Sequence, residues 1–384
     1  MAKITLVGWF NGINYGTCVQ SYALTSFLKA QGHQVSIINT YRFYYGIKHP
    51  IETIDRVFRV FAEKFKTKMA MRKKNAILSD ELIQDYAVRI SKNNDFAAAH
   101  SQIHQITSRA MFDNLIQNTE IFVAGSDQIW NPFHTSPPVL LAMAAKDQKK
   151  ISFSSSVGVK QIPWNRRHLY EKYLSRFDFI SVREKTAQQV LAPFTKKPIE
   201  VVLDPSFLLE KNDWQEIAKR PSSIKDTQED FVFCYFVGDN TAWERDVAEL
   251  SEQYHLPVYC ALSESYVVPS CGTVLSQLGV QEFLWCLMNA RYVVTDSFHA
   301  CVLSINFNTL FVAYKRFLDS DSASQNSRIV DFLQQVDLAN RLVNLENNSL
   351  LDILKRDVAF SKVNEIIQCE RKNAIRFLLS ALED

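Results

Sequence analysis

The sequence predicts an α/β protein of two Rossmann-like domains facing each other across a cleft. At 384 residues the chain exceeds what one hydrophobic core usually organises, so two domains are expected. Its start reads strand, loop, helix, strand, the βαβ pattern of a doubly wound parallel sheet. Short apolar runs ending in small or polar residues then recur in two sets, one on each side of a polar segment.

The first strand lies within Ile4 to Gly8, and "CVQSYALTSFLKAQG" comes next with helical spacing that stops at Gly32. "QVSIIN" is the second strand. Residues 41–118, rich in Lys, Arg and Gln, read as a helical insertion. Strands return at "IFVAGSD", "ISFSSSVG", "FDFISVRE" and "IEVVLDP". The polar stretch "KNDWQEIAKRPSSIKDTQED" after Asp204-Pro205 carries the junction, which divides the chain into domains 1–210 and 211–384. "FVFCYFVG", "PVYCAL", "YVVTDS" and "TLFVAY" are the strands of the second set, with a helix at "VQEFLWCLMNA". Helical periodicity then runs through the C-terminal segment from Leu350.

Composition narrows the function. A formal net charge of +2 gives no reason to expect nucleic acid as a partner. Seven cysteines without a CxxC pair suit reduced thiols in the cytoplasm. No run reaches the roughly 18 apolar residues of a membrane span. Between 56 and 74 an amphipathic basic stretch is compatible with peripheral contact to an anionic membrane, or with packing on the protein's own core.

In open α/β sheets ligands bind beyond the carboxyl ends of the strands, so the polar strand ends are the candidate site. Asn14, Tyr15, Gly16 and Thr17 open the first helix, where free N–H groups can receive an anion, or where the glycine serves only the turn. Ser126, Asp127 and Gln128 end one strand and either bind substrate or cap the next helix. Arg183 and Glu184 end another. The arginine can hold phosphate or carboxylate, and the alternative is a salt bridge. Asp204, before a proline, suits a turn or cap at least as well as catalysis. His299 stands between a strand end and an apolar helix, where a titratable ring can be held rigidly in a cleft or be a satisfied structural residue. His100 and His104 lack a third ligand and read as a helix surface, so no metal site is expected.

In order, "NYGTCVQSYALTSFLKAQGHQV", "FVAGSDQIWNP", "ISFSSSVG", "ISVREKTAQQVL", "VVLDPSFLL", "QEFLWCLMNARYVVTDSFHACVLSINFN" and "NSRIVDFL" resemble the polysaccharide pyruvyl transferase family. The resemblance implies a GT-B-like architecture and transfer of a pyruvyl group from phosphoenolpyruvate, as co-substrate, to a saccharide or lipid-linked oligosaccharide, forming a cyclic ketal. It implies no redox cofactor. His299 matches the family's active-site histidine. Arg183 is the expected contact to the anionic donor, with Lys315 and Arg316 as further cations. Where other members carry an arginine two positions before the histidine, this chain has Ser297, and Thr17 stands where an acidic residue often follows the glycine. Two alternatives stay open: a GT-B glycosyltransferase using a nucleotide sugar, and a noncatalytic glycan-binding or scaffold protein.

Overall fold

The strands near the N-terminus are mostly apolar, as expected of a sheet covered on both faces. In the computed structural model β1 (Lys3–Val7) buries every residue after Lys3. The structure describes residues 1–9, 14–38, 41–45, 80–100, 103–104, 106–224, 229–238, 241–263, 268–318, 324–343 and 349–383. The basic stretch 56–74 and Gly12 lie outside them.

Seven parallel strands form the first sheet, ordered β3-β2-β1-β4-β5-β6-β7. They are β2 (Gln34–Ile38), β3 (Ile103–His104), β4 (Ile121–Ala124), β5 (Lys149–Ser155), β6 (Phe179–Val182) and β7 (Ile199–Val201), with β1 between β2 and β4. Five parallel strands form the second, ordered β10-β9-β8-β11-β12. These are β8 (Val232–Tyr235), β9 (Val258–Ala261), β10 (Thr273–Leu275), β11 (Tyr292–Thr295) and β12 (Phe311–Ala313). The order in which strands are added reverses between β1 and β4 in the first sheet and between β8 and β11 in the second. Each reversal opens a crevice at the strands' carboxyl ends.

Two expectations change. The 41–118 segment is not one helical run within the first domain: the helix Asp80–His100 is followed by β3, which extends the first sheet, and by the helix Arg109–Gln117. The Asp80–His100 helix reaches the second domain. Its Asn93 side chain accepts from the Val280 N–H at 2.8 Å, Lys92 pairs with Glu282 at 2.9 Å, and Arg89 donates to the Leu262 carbonyl at 2.6 Å. A boundary at 211 also assigns the last helix, Phe360–Glu383, to the second domain. Instead its Phe377, Leu378 and Ala381 share a core with Ile4, Leu6, Leu24 and Val123 of the first.

A further core joins the halves. Tyr15, Val19 and Ala23 of the helix Tyr15–Ala30 pack with Phe233, Phe283 and Leu303 of the second domain. Tyr15 is completely buried, stacks on Phe283 at 4.3 Å and donates to the Leu278 carbonyl at 2.7 Å. At roughly 1.5–3 kcal/mol for each large side chain buried, this contact ties the two domains together.

Candidate active site

Both switch points open into one cleft of about 200 Å³. Trp9, Asn14 and Thr17 line it from the end of β1, and Asp127 and Gln128 from the end of β4. Val237 follows β8, Ser297, Phe298 and His299 follow β11, and Arg316 follows β12. Arg328, from the helix Ser327–Gln335, closes the floor.

The helix Phe298–Phe307 places His299. Ser297 caps it, its side chain accepting from the Ala300 N–H at 3.4 Å. One side of the imidazole lies against Gly16, where a Cβ would come within 2.7 Å of the ring Cγ and closer still to Nδ1. Glycine is required there because no side chain fits. Asn14 holds that backbone by accepting from the Gly16 N–H at 2.8 Å. On the other side, His299 Nε2 stands 3.6 Å from Asp204 Oδ2 and is buried without a hydrogen-bond partner.

Asp204 divides its work by oxygen atom. Oδ1 accepts from Ser206 N–H and Oγ at 2.9 and 2.6 Å, which makes the cap expected from Asp-Pro. Oδ2 accepts from Arg183 Nη1 at 2.8 Å and faces His299. Burial alone would push this carboxyl up, but His299 and Arg183 together hold it well below the usual carboxylate range. The sequence pointed to a turn or cap at least as well as to catalysis; the pairing with Arg183 and His299 comes from the neighbours the fold brings in.

Arg183 does not line the cleft. Its Nη2 donates to Asp127 Oδ1 at 3.1 Å, its Nε lies 3.9 Å from Glu184, and the guanidinium sits 4.0 Å from the centre of the Phe298 ring. Only 2% of the side chain is exposed. The salt-bridge alternative is therefore the one realised, and the expected direct contact to a donor is corrected: Arg183 holds Asp127 and Asp204. Burial pushes Glu184 upward despite Arg183 and its bonds from Ser156, Val157 and Gly158, which tie down the loop after β5. Asp127 is held low, with burial opposed by Arg183, His299 and Arg328.

Two other cations reach the cleft. Arg316 leans on Asp296, whose carboxylate also accepts from the Val237 and Gly238 N–H groups at 2.7 and 2.8 Å. At Gly238 a Cβ would strike Arg316 and Asp296, so the glycine makes room for the guanidinium. Arg328 lies 3.6 Å from Asp127, and burial pushes its guanidinium down to about 9 in spite of that carboxylate. With the Gln128 amide oxygen turned to it, Arg328 donates at 3.1 and 2.9 Å. Its Nε is buried and unbonded. Sequence reasoning missed Arg328, because an arginine in the first turn of an amphipathic helix looks like a solvated face; the only signal was its place in "NSRIVDFL".

Other expected positions do not reach the ligand space. Lys315 does not line the cleft, Tyr15 is the interdomain anchor, and Ser126 is buried, bonded to Gln20 and to the Ser154 carbonyl. Asn14, Thr17, Asp127, Gln128, Ser297 and Arg316 are all brought to the cleft, with Gly16 beneath His299. His100 packs on Tyr22 and Phe96 at 5.2 and 4.6 Å, and its helix ends there, so it shares no helical turn with His104. No cluster of metal-ligating side chains occurs among the described residues. No described helix is long and apolar enough to cross a membrane.

Two parallel α/β domains meeting at a cleft that holds Arg316, Arg328 and a buried Asp–His pair define a two-domain, GT-B-like protein. Its membership is narrower than that: the model of the family described as polysaccharide pyruvyl transferase matches residues 14–316, and the chain belongs to that family, which makes it a transferase. No curated protein matches it. Solved structures similar in outline include UDP-GlcNAc 2-epimerase from Neisseria meningitidis, at 10% identity over 100% of this chain and 99% of that one with a TM-score of 0.48. The wall teichoic acid polymerase TagF has 9% identity over 100% and 89% with a TM-score of 0.47, and an alpha-glucosyltransferase 9% over 98% and 95% with 0.45. Likenesses at that level carry nothing about function.

Proposed function

We propose that the chain transfers the pyruvyl group of phosphoenolpyruvate to a sugar of a polysaccharide or its lipid-linked precursor, forming a cyclic ketal. The observation that carries this reading is the pair Arg316 and Arg328 beside His299 in one small cleft. A donor with a phosphate and a carboxylate needs two cationic contacts, and these arginines offer them where Ser297 leaves none.

The chemistry balances without a redox partner. The C2–O bond to phosphate breaks, two C–O bonds form at C2, and both sugar hydroxyls lose their protons, one of which is delivered to the methylene carbon and the other to the departing phosphate. Nothing is oxidised. His299 is the group in reach to deliver and collect protons, with Asp204 beside Nε2 to stabilise the charge that appears when the ring is protonated. Incubation with phosphoenolpyruvate and oligosaccharide acceptors tests the reading. Phosphate release with a pyruvyl mass gain on the sugar is expected, and nucleotide release from a nucleotide sugar without phosphoenolpyruvate turnover would refute it.

A further inference from the structure

Asp296 directly follows β11, three residues before His299, and is buried. Both of its carboxylate oxygens are engaged. Oδ1 accepts from the Val237 N–H at 2.7 Å and Oδ2 from the Gly238 N–H at 2.8 Å, which ties the chain after β8 to the end of β11. Arg316 lies along the same residue: its Nε stands 3.4 Å from Oδ2, within ion-pair reach though not aligned as a hydrogen bond, and its Nη2 donates to the Asp296 carbonyl at 3.3 Å. One residue thus meets the guanidinium through side chain and backbone together.

The segment that carries Asp296 is itself held. Thr295 Oγ1 donates to the Tyr235 carbonyl and accepts from the Ser297 N–H at 3.0 Å, and Ser297 caps the helix that begins with Phe298 and His299. Arg316 arrives from β12, where the Tyr314 N–H donates to the Thr295 carbonyl at 2.8 Å. Asp296 therefore links a cation of the cleft to the short connection that sets the imidazole.

Two effects of a carboxylate at this place oppose each other. Its charge repels an anion that approaches Arg316. A long arginine side chain, however, gives up rotamer freedom when it grips a ligand, and a partner that restrains it beforehand removes that cost. With both oxygens already turned to backbone N–H groups, much of the carboxylate's charge is met inside the protein, and restraint is the effect left over.

We propose that Asp296 is a positioning residue, which holds the Arg316 guanidinium at a fixed place relative to His299 so that an anion bound by the arginine meets the imidazole. This rests on the reading that Arg316 receives the anionic donor.

Isothermal titration with inorganic phosphate, and separately with phosphoenolpyruvate, tests it in wild type, Asp296→Asn, Arg316→Ala and the double variant. Asp296→Asn should weaken phosphate about fivefold or more, and that loss should vanish where Arg316 is already alanine. Tighter binding in Asp296→Asn, which a carboxylate that only repels the anion would give, overturns the proposal, and so does an equal loss in both backgrounds. Should Asp296→Asn fail to fold by circular dichroism, Gly238→Ala takes its place: the carboxylate stays, but the new methyl comes within 2.7 Å of Arg316 Cγ. The same loss, again absent without Arg316, is expected of it, and unchanged binding overturns the proposal. Coupling of Asp296 to Arg316 on phosphate without turnover of phosphoenolpyruvate would sink the pyruvyl reading and leave the positioning role standing. Turnover with independent effects of the two substitutions would do the reverse, and a wild type that binds neither anion would end both.

Discussion

Arg183 and Arg316 are both arginines just past parallel strands, yet their surroundings give them opposite duties. Arg183 is enclosed by Asp127, Asp204 and Glu184, so removing it leaves buried carboxylates uncompensated. Arg183→Ala should lower stability by about 3–5 kcal/mol in chemical denaturation. Arg316→Ala should cost less stability, because Asp296 keeps its bonds from the Val237 and Gly238 N–H groups, and raise the KM for phosphoenolpyruvate about tenfold to a hundredfold, the loss of one charge-assisted hydrogen bond. Equal stability losses in the two variants would contradict the assignment. Gly16 provides a second test at this scale. In Gly16→Ala the methyl group needs the space of the His299 ring, so kcat should drop by about a hundredfold while far-UV circular dichroism stays native. What the sequence conveyed of these residues was their type and their place at strand ends. Which side of the sheet each one faces was not legible, and that is why Arg183, Tyr15 and Ser126 turned out to be structural.

Among the elements, the central strands were easy to read because burial on both faces makes them rich in apolar residues. β3 and β10 escaped notice, being two and three residues long at the sheet edges, too short to show a period. The helix Asp80–His100 was legible as a helix but not as a bridge, since Arg89, Lys92 and Asn93 look like a solvated face until their partners in the second domain are known. Asn93→Ala removes the acceptor for the Val280 N–H at the start of the helix Val280–Asn289. The expected cost is about 1–3 kcal/mol, with hydrogen-exchange protection lost first across 280–289. Protection unchanged there would show that the bridge adds nothing.

For the whole molecule, the buried charges at the cleft floor set the response to acid. Asp127 and Asp204 lie below the ordinary carboxylate range because Arg183 and His299 outweigh burial. A carboxyl depressed in the folded state contributes stability above its unfolded value of about 3.9, and that contribution is lost as pH falls through the folded value. The stability gap between wild type and Asp127→Asn should therefore hold from about pH 7 to 5 and close below about pH 4. A gap that closed near neutrality would mean that Asp127 is not held by Arg183. The two-domain outline was legible from the two sets of strands, whereas the return of the last helix to the first domain was not, because an amphipathic helix does not reveal which sheet its apolar face will cover.

The proposed transfer depends on a cleft whose cations, Arg316 and Arg328, receive a small dianionic donor. Isothermal titration with phosphoenolpyruvate, without any acceptor, examines that directly. One binding site per chain is predicted, weakened at least about tenfold by Arg316→Ala and unaffected by excess UDP-glucose. Binding that is absent in the wild type, or that is indifferent to Arg316→Ala, would contradict it.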